Sequence, residues 1–132
     1  MFSFPVRVYY EDTDAGGIVY HANYLKFCER ARTEYLRHLG IEQDEYLKQN
    51  TAFVVKSMDI DFKVAAKFND EITVVTEIQQ VKRASVEFLQ TIINKKEQPV
   101  FVAKVQVACI NLQKMKPSAI PAEILEVFTS AS

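Results

Sequence analysis

The hydrophobic positions change their spacing along the chain, and each change marks an element. Val6 to Tyr10 is a short apolar run entered after Pro5, and it predicts a first strand. From Asn23 to Leu39 the apolar residues recur every three or four positions, with Tyr24, Phe27, Cys28, Ala31, Tyr35 and Leu39 forming one stripe. That spacing predicts a helix with one buried face. Lys26, Glu29, Arg30, Arg32, Glu34 and Arg37 fall on its polar side, where Arg30 and Glu34 form an i,i+4 pair. Asn23 is the expected N-cap and Gly40 the expected stop. From Ala52 the period drops to two. Met58, Ile60, Phe62 and Val64 alternate with Ser57, Asp59 and Asp61. Further strands follow at Ile72–Ile78, Val86–Ile92 and Phe101–Cys109, separated by turns at Asn69-Asp70, Lys82-Arg83-Ala84-Ser85 and Asn94–Pro99. Val100, Val102, Ala108 and Ile110 make the second face of the last strand apolar as well, which predicts cover on both faces. Short helical turns are expected at Gln43–Lys48 and Pro121–Phe128.

These elements add up to one α+β domain over residues 1–132, with one long helix and five antiparallel strands. A single helix covers only one face of such a sheet. The other face and the edges need a second chain, so packing alone predicts a homo-oligomer.

Composition narrows the function class. A chain of 132 residues buries about two-thirds of its unfolded surface and needs no staples. Its net charge of −1 gives no footprint for nucleic acid or an anionic membrane. Cys28 and Cys109 lie in apolar patterns and read as reduced core thiols. The N-terminus lacks a basic segment followed by an apolar one, and no apolar run reaches the ~18 residues of a membrane span. A cytoplasmic protein is expected.

Candidate chemistry concentrates between the first strand and the helix. Two of the three glycines, Gly16 and Gly17, sit there with Glu11, Asp12, Asp14 and one of the two histidines, His21. A strand, an acidic loop and a helix in that order aim the orphan N–H groups of the helix start at the loop. Carboxylates beside oriented N–H donors suit acyl-transfer chemistry. Asp14 is the candidate nucleophile or general base; capping of a turn is the plainer role. Asp12 and Glu11 read as structural. The spacing Asp12-x-Asp14-x-Gly16 resembles the start of a calcium loop but lacks its fifth and twelfth ligands, and neither cysteine has a neighbour at zinc spacing, so no metal is implied.

The run Tyr10-Glu11-Asp12-Thr13-Asp14-Ala15-Gly16-Gly17-Ile18-Val19-Tyr20-His21-Ala22-Asn23-Tyr24-Leu25, followed by Glu29-Arg30-Ala31-Arg32, resembles the signature of the hotdog-fold acyl-CoA thioesterases. The branch it resembles is that of 4-hydroxybenzoyl-CoA thioesterase, and within it the small bacterial thioesterases encoded with the Tol-Pal system. Ala52-Phe53-Val54-Val55-Lys56 and Lys114-Met115-Lys116-Pro117 extend the likeness to nearly the whole chain. The resemblance implies a long helix wrapped by an antiparallel sheet, dimers joined edge to edge, tetramers built from them, and sites at the subunit interface. It implies hydrolysis of acyl-CoA without a bound cofactor, and acyl carrier protein as a further partner. It assigns catalysis to Asp14 and to His21, whose backbone N–H polarises the thioester carbonyl. Gly17, Tyr20 and Tyr24 would line the acyl site. Lys82, Arg83 and Ser85 would meet the phosphates of CoA. A non-catalytic module that binds acyl thioesters or acyl carrier protein is the alternative, and Asp14 argues against it, because binding needs no carboxylate facing the carbonyl. The His/Glu pattern of the hotdog dehydratases is not found.

Overall fold

The computed structural model describes residues 1–132. Its sheet has five long or medium strands in the order β1-β3-β4-β5-β2, all antiparallel: β1 (Phe2–Arg7), β2 (Thr51–Phe62), β3 (Glu71–Val81), β4 (Ser85–Ile93) and β5 (Pro99–Asn111). A sixth, two-residue strand, β6 (Lys116–Pro117), folds back on the end of β5. Three helices accompany the sheet: α1 (Asn23–His38), α2 (Gln43–Leu47) and α3 (Ala122–Ala131). This is the hotdog arrangement, with a curled antiparallel sheet around a central helix.

Period-two burial explains the core. Val86, Phe88, Gln90 and Ile92 of β4, and Phe101, Ala103, Val105, Val107 and Cys109 of β5, all face inward and are buried. Tyr24, Phe27, Cys28, Ala31, Tyr35 and Leu36 of α1 pack against them in one cluster, which also takes in Ile124 and Phe128 of α3. Both cysteines are free and buried. On the second face of β5, Val100 is buried while Val102, Ala108 and Ile110 are only half-buried. No helix is long and apolar enough to cross a membrane.

Several sequence-based expectations are corrected. The first strand is Phe2–Arg7 rather than Val6–Tyr10, because Phe2, Phe4 and Val6 alternate inward through Pro5. Proline is tolerated there because β1 is an edge strand. Tyr10–Asp12 instead forms a 3-10 turn. Asn23 is the first helical residue, not the cap, and its side chain turns to Asp12. Arg32, expected on the polar face, is buried. Arg30 and Glu34 are not paired; Glu34 meets Arg37, and Glu29 meets Arg32. The predicted five strands become six with β6, and α3 runs past Phe128 to Ala131.

Candidate functional site

Residues 12–20 form a tight hairpin with Asp14-Ala15-Gly16-Gly17 at its tip. Thr13 bridges Val19, and the Asp14 N–H donates to the Ile18 carbonyl at 2.9 Å. The Tyr20 N–H returns to the Asp12 carbonyl at 2.9 Å. Gly17 takes φ of +79°, a conformation that costs any residue with a Cβ. One edge of the hairpin docks on the segment after β2, through an Ile18–Lys67 bridge and a Val19 N–H bond to Ala66 at 2.8 Å.

Asp12 locks this hairpin to α1. Its Oδ2 accepts from the Tyr9 N–H at 2.8 Å and its Oδ1 from Asn23 Nδ2 at 2.9 Å. With both oxygens engaged and the side chain buried, Asp12 is structural, as its sequence position suggested. Asp14 is exposed, and only the Gly16 N–H, at 2.8 Å, engages its carboxylate, through Oδ1. Its Oδ2 makes no hydrogen bond within the chain.

His21 precedes α1 and is exposed. Its ring lies 4.4 Å from that of Tyr20 and 6.5 Å from that of Phe62, centroid to centroid. Its backbone N–H, and that of Ala22, make no hydrogen bond within the chain. They are unsatisfied donors at the positive end of a 16-residue helix, where an anionic oxygen is favoured. His21 also lines an apolar cavity of about 200 Å³ with Ile18, Val19, Tyr24, Phe62 and Val64. Tyr24 is buried, stacks on Phe101 at 5.1 Å, and accepts the Ala66 N–H at 3.1 Å. Burial raises its phenol pKa above the usual value. Tyr24 therefore both walls the cavity and props the segment opposite. Tyr20 stands exposed beside His21 without lining the cavity. The wall from Phe62 to Ala65 was missed in the sequence, where it read only as the end of a strand.

Asp14, Gly17, Tyr20, His21 and Tyr24 thus gather at one end of the molecule. Lys82, Arg83 and Ser85 do not join them. They lie at the far end of the β3–β4 hairpin, separated from the start of β3 by its length of 11 residues. A roomier apolar cavity, about 280 Å³, lies near that far end, between α1, β2 and α3. Phe53, Val54, Val55, Phe88 and Phe128 line it, and Glu29 and Arg32 mark its polar wall. Neither Asp14 nor His21 lines it.

Residues 8–128 match the family described as the Thioesterase-like superfamily. The chain belongs to this superfamily. It is 55% identical over 128 residues to the acyl-CoA thioesterase YbgC of Haemophilus influenzae, spanning 96% of this chain and 93% of that protein. It is 44% identical over 128 residues to the acyl-CoA thioester hydrolase YbgC of Escherichia coli O157:H7, spanning 97% of this chain and 96% of that protein. A probable thioesterase from Bartonella henselae superposes with a TM-score of 0.84 at 37% identity, covering 91% of this chain and 98% of that one. Thioesterase chemistry asks for a nucleophile or base and an oxyanion donor facing one carbonyl. The hairpin exposes a carboxylate, and the start of α1 carries N–H groups without acceptors in the chain.

Proposed function

We propose that this chain hydrolyses acyl-CoA thioesters, with Asp14 as nucleophile or general base and the His21 N–H as oxyanion donor. The observation that carries the reading is the pair of unsatisfied N–H groups at His21 and Ala22, beside an apolar cavity and next to a hairpin that exposes Asp14. The thioester carbonyl oxygen accepts from the His21 N–H, and its acyl group enters the apolar cavity. In the nucleophilic route an Asp14 oxygen attacks the carbonyl carbon and the C–S bond breaks. The CoA thiolate leaves and takes up a proton. Water then opens the mixed anhydride, releasing the acid and restoring Asp14. In the general-base route Asp14 removes a proton from water as that water attacks, and the thiolate leaves with a proton. Each lone oxyanion donor is worth about 3–4 kcal/mol in such chemistry.

The same reading extends to assembly. β2 is a 12-residue edge strand with nothing paired on its outer side, and it exposes Val54, Val55, Ile60 and Phe62. Long bare edges of this kind call for a partner. Antiparallel pairing of two copies of β2 would set the 280 Å³ cavity of one copy beside the Asp14 end of the other. It would also carry Lys82 and Arg83 of a second copy toward that end. Pairs of such dimers forming tetramers, a cytoplasmic location and association with the Tol-Pal system complete the proposal.

The test is thiol release from a panel of short, long and aromatic acyl-CoAs, repeated with acyl carrier protein thioesters. Turnover of a CoA ester supports the reading. Tight binding with no thiol release from any thioester would overturn it in favour of a binding module.

A further inference from the structure

The apolar cavity beside His21 holds one amine. Its volume is about 200 Å³, and Lys63 stands in its lining with His21, Tyr24 and Phe62. Lys63 directly follows the last residue of β2, and its backbone is fixed: its N–H donates to the Val100 carbonyl at 2.9 Å. The head of the side chain is placed as well. Lys63 Nζ lies 2.6 Å from Asp61 Oδ2 and pairs with no other carboxylate. Asp61 is two residues back on the same strand, so the ion pair holds the amine at the end of β2 rather than letting it range through solvent.

An amine beside a thioester is a competitor of water. A thioester carbonyl is an electrophile with a good leaving group, and a neutral amine is a strong nucleophile toward it. The His21 N–H that polarises the carbonyl for water polarises it equally for an amine. Protonation works against the reaction, because in water only about one lysine in 250 is the neutral amine at pH 8. Proximity works for it, because a well-oriented neighbouring group acts at an effective concentration of about 10⁵ M or more. The second factor outweighs the first.

We propose that Lys63 is an acyl-acceptor site, modified by the thioester whose acyl group occupies this cavity. This rests on the thioesterase reading above for where the acyl group lies. The Lys63 ammonium first gives a proton to solvent. Its neutral Nζ then attacks the carbonyl carbon, and a C–N bond forms as the C–S bond breaks. The CoA thiolate leaves and takes up the further proton that the nitrogen sheds. The products are an Nζ-acyl-lysine and free CoA thiol, with no other reactant consumed. An amide has a poor leaving group, so the modification persists where a thioester is opened.

The test incubates the full chain carrying Asp14→Asn, which spares the thioester from hydrolysis, with butyryl-CoA at pH 8. Acyl occupancy of each lysine is read by mass spectrometry of a digest. Lys26 and Lys114 are the references: both are exposed and neither is ion-paired, so plain amine reactivity favours them over Lys63. Lys63 is expected to carry about tenfold more acyl group than either, through proximity to the bound ester. The excess is expected to vanish when the chain is labelled in urea. Equal labelling of the three lysines overturns the proposal. So does an excess that survives urea, or one that falls on Lys67 instead. Thiol release by the wild type from the same ester is measured alongside. Turnover without Lys63 acylation overturns this proposal and leaves the thioesterase reading standing. Lys63 acylation without wild-type turnover supports the acceptor site and removes the thioesterase reading.

Discussion

A Cβ placed on Gly16 would stand 3.3 Å from Asp14 Oδ1, tight against the one oxygen that the Gly16 N–H holds. The glycine pair therefore does more than turn the chain. Gly16 admits the carboxylate, and Gly17 supplies the positive φ. Gly17→Ala is expected to cost about 1 kcal/mol in a urea titration, the penalty for a left-handed alanine. Gly16→Ala is expected to displace the carboxylate and lower kcat with little change in the urea midpoint. Equal losses of stability and activity would count against that division. Cys28 offers a pH test. Burial pushes its thiol up to about 12 from a usual value near 9, so the folded state favours the protonated form. Its contribution to stability is complete below pH 9 and is lost as the pH climbs toward 12. Stability of a Cys28→Ala variant should accordingly fall less than that of the wild type across that window, measured by chemical denaturation. At the residue scale the sequence marks the glycine turn around Asp14, because a pair of glycines beside carboxylates has a recognisable spacing. The free N–H groups at His21 and Ala22 follow from the expected helix start, which leaves its first donors without acceptors.

At the scale of elements, α1 is joined to the sheet by a polar tie through the core. Gln90 of β4 donates from Nε2 to the Cys28 carbonyl and to Thr76 Oγ1, both at 3.0 Å. Its Oε1 accepts from Arg32 at 2.7 Å, and Arg32 turns its other arm to Glu29. Gln90 is fully buried and Arg32 is nearly so. Removing one partner leaves a buried charge short of acceptors, so Gln90→Leu should cost about 3 kcal/mol, read as a lower denaturant midpoint. A neutral result would mean that Arg32 swings out to solvent. The helix and the strands were legible from their periods, since burial on one face imposes 3.6 and 2 directly. Arg32 was misplaced because its partner is 58 residues away, a pairing that local pattern does not carry. β1 was misplaced because Pro5 reads as a boundary, although an edge strand tolerates it.

At the scale of the molecule, the apolar β2 edge and the half-buried second face point to assembly. Ile60→Glu puts a charge on the apolar edge strand of the proposed edge-to-edge contact. We expect that variant to sediment as a single chain and to lose thioesterase activity, because each site would lack the second copy's cavity. A fully active single chain would show that one copy makes the whole site. The bare strand edge was legible from one helix and many strands, whereas the separation of Lys82 and Arg83 from the Asp14 hairpin was not. That separation depends on the direction of β3 and on the position of the β3–β4 turn, which sequence spacing does not reveal.

The most direct test of the account is kcat for thiol release by Asp14→Asn against wild type, on the best substrate of the panel. The exchange preserves shape and the bond from the Gly16 N–H while removing the charge. With unchanged circular dichroism and urea midpoint, the account predicts a fall in kcat of about a thousandfold or more. Equal turnover by the two proteins would contradict it and place the chemistry on another residue.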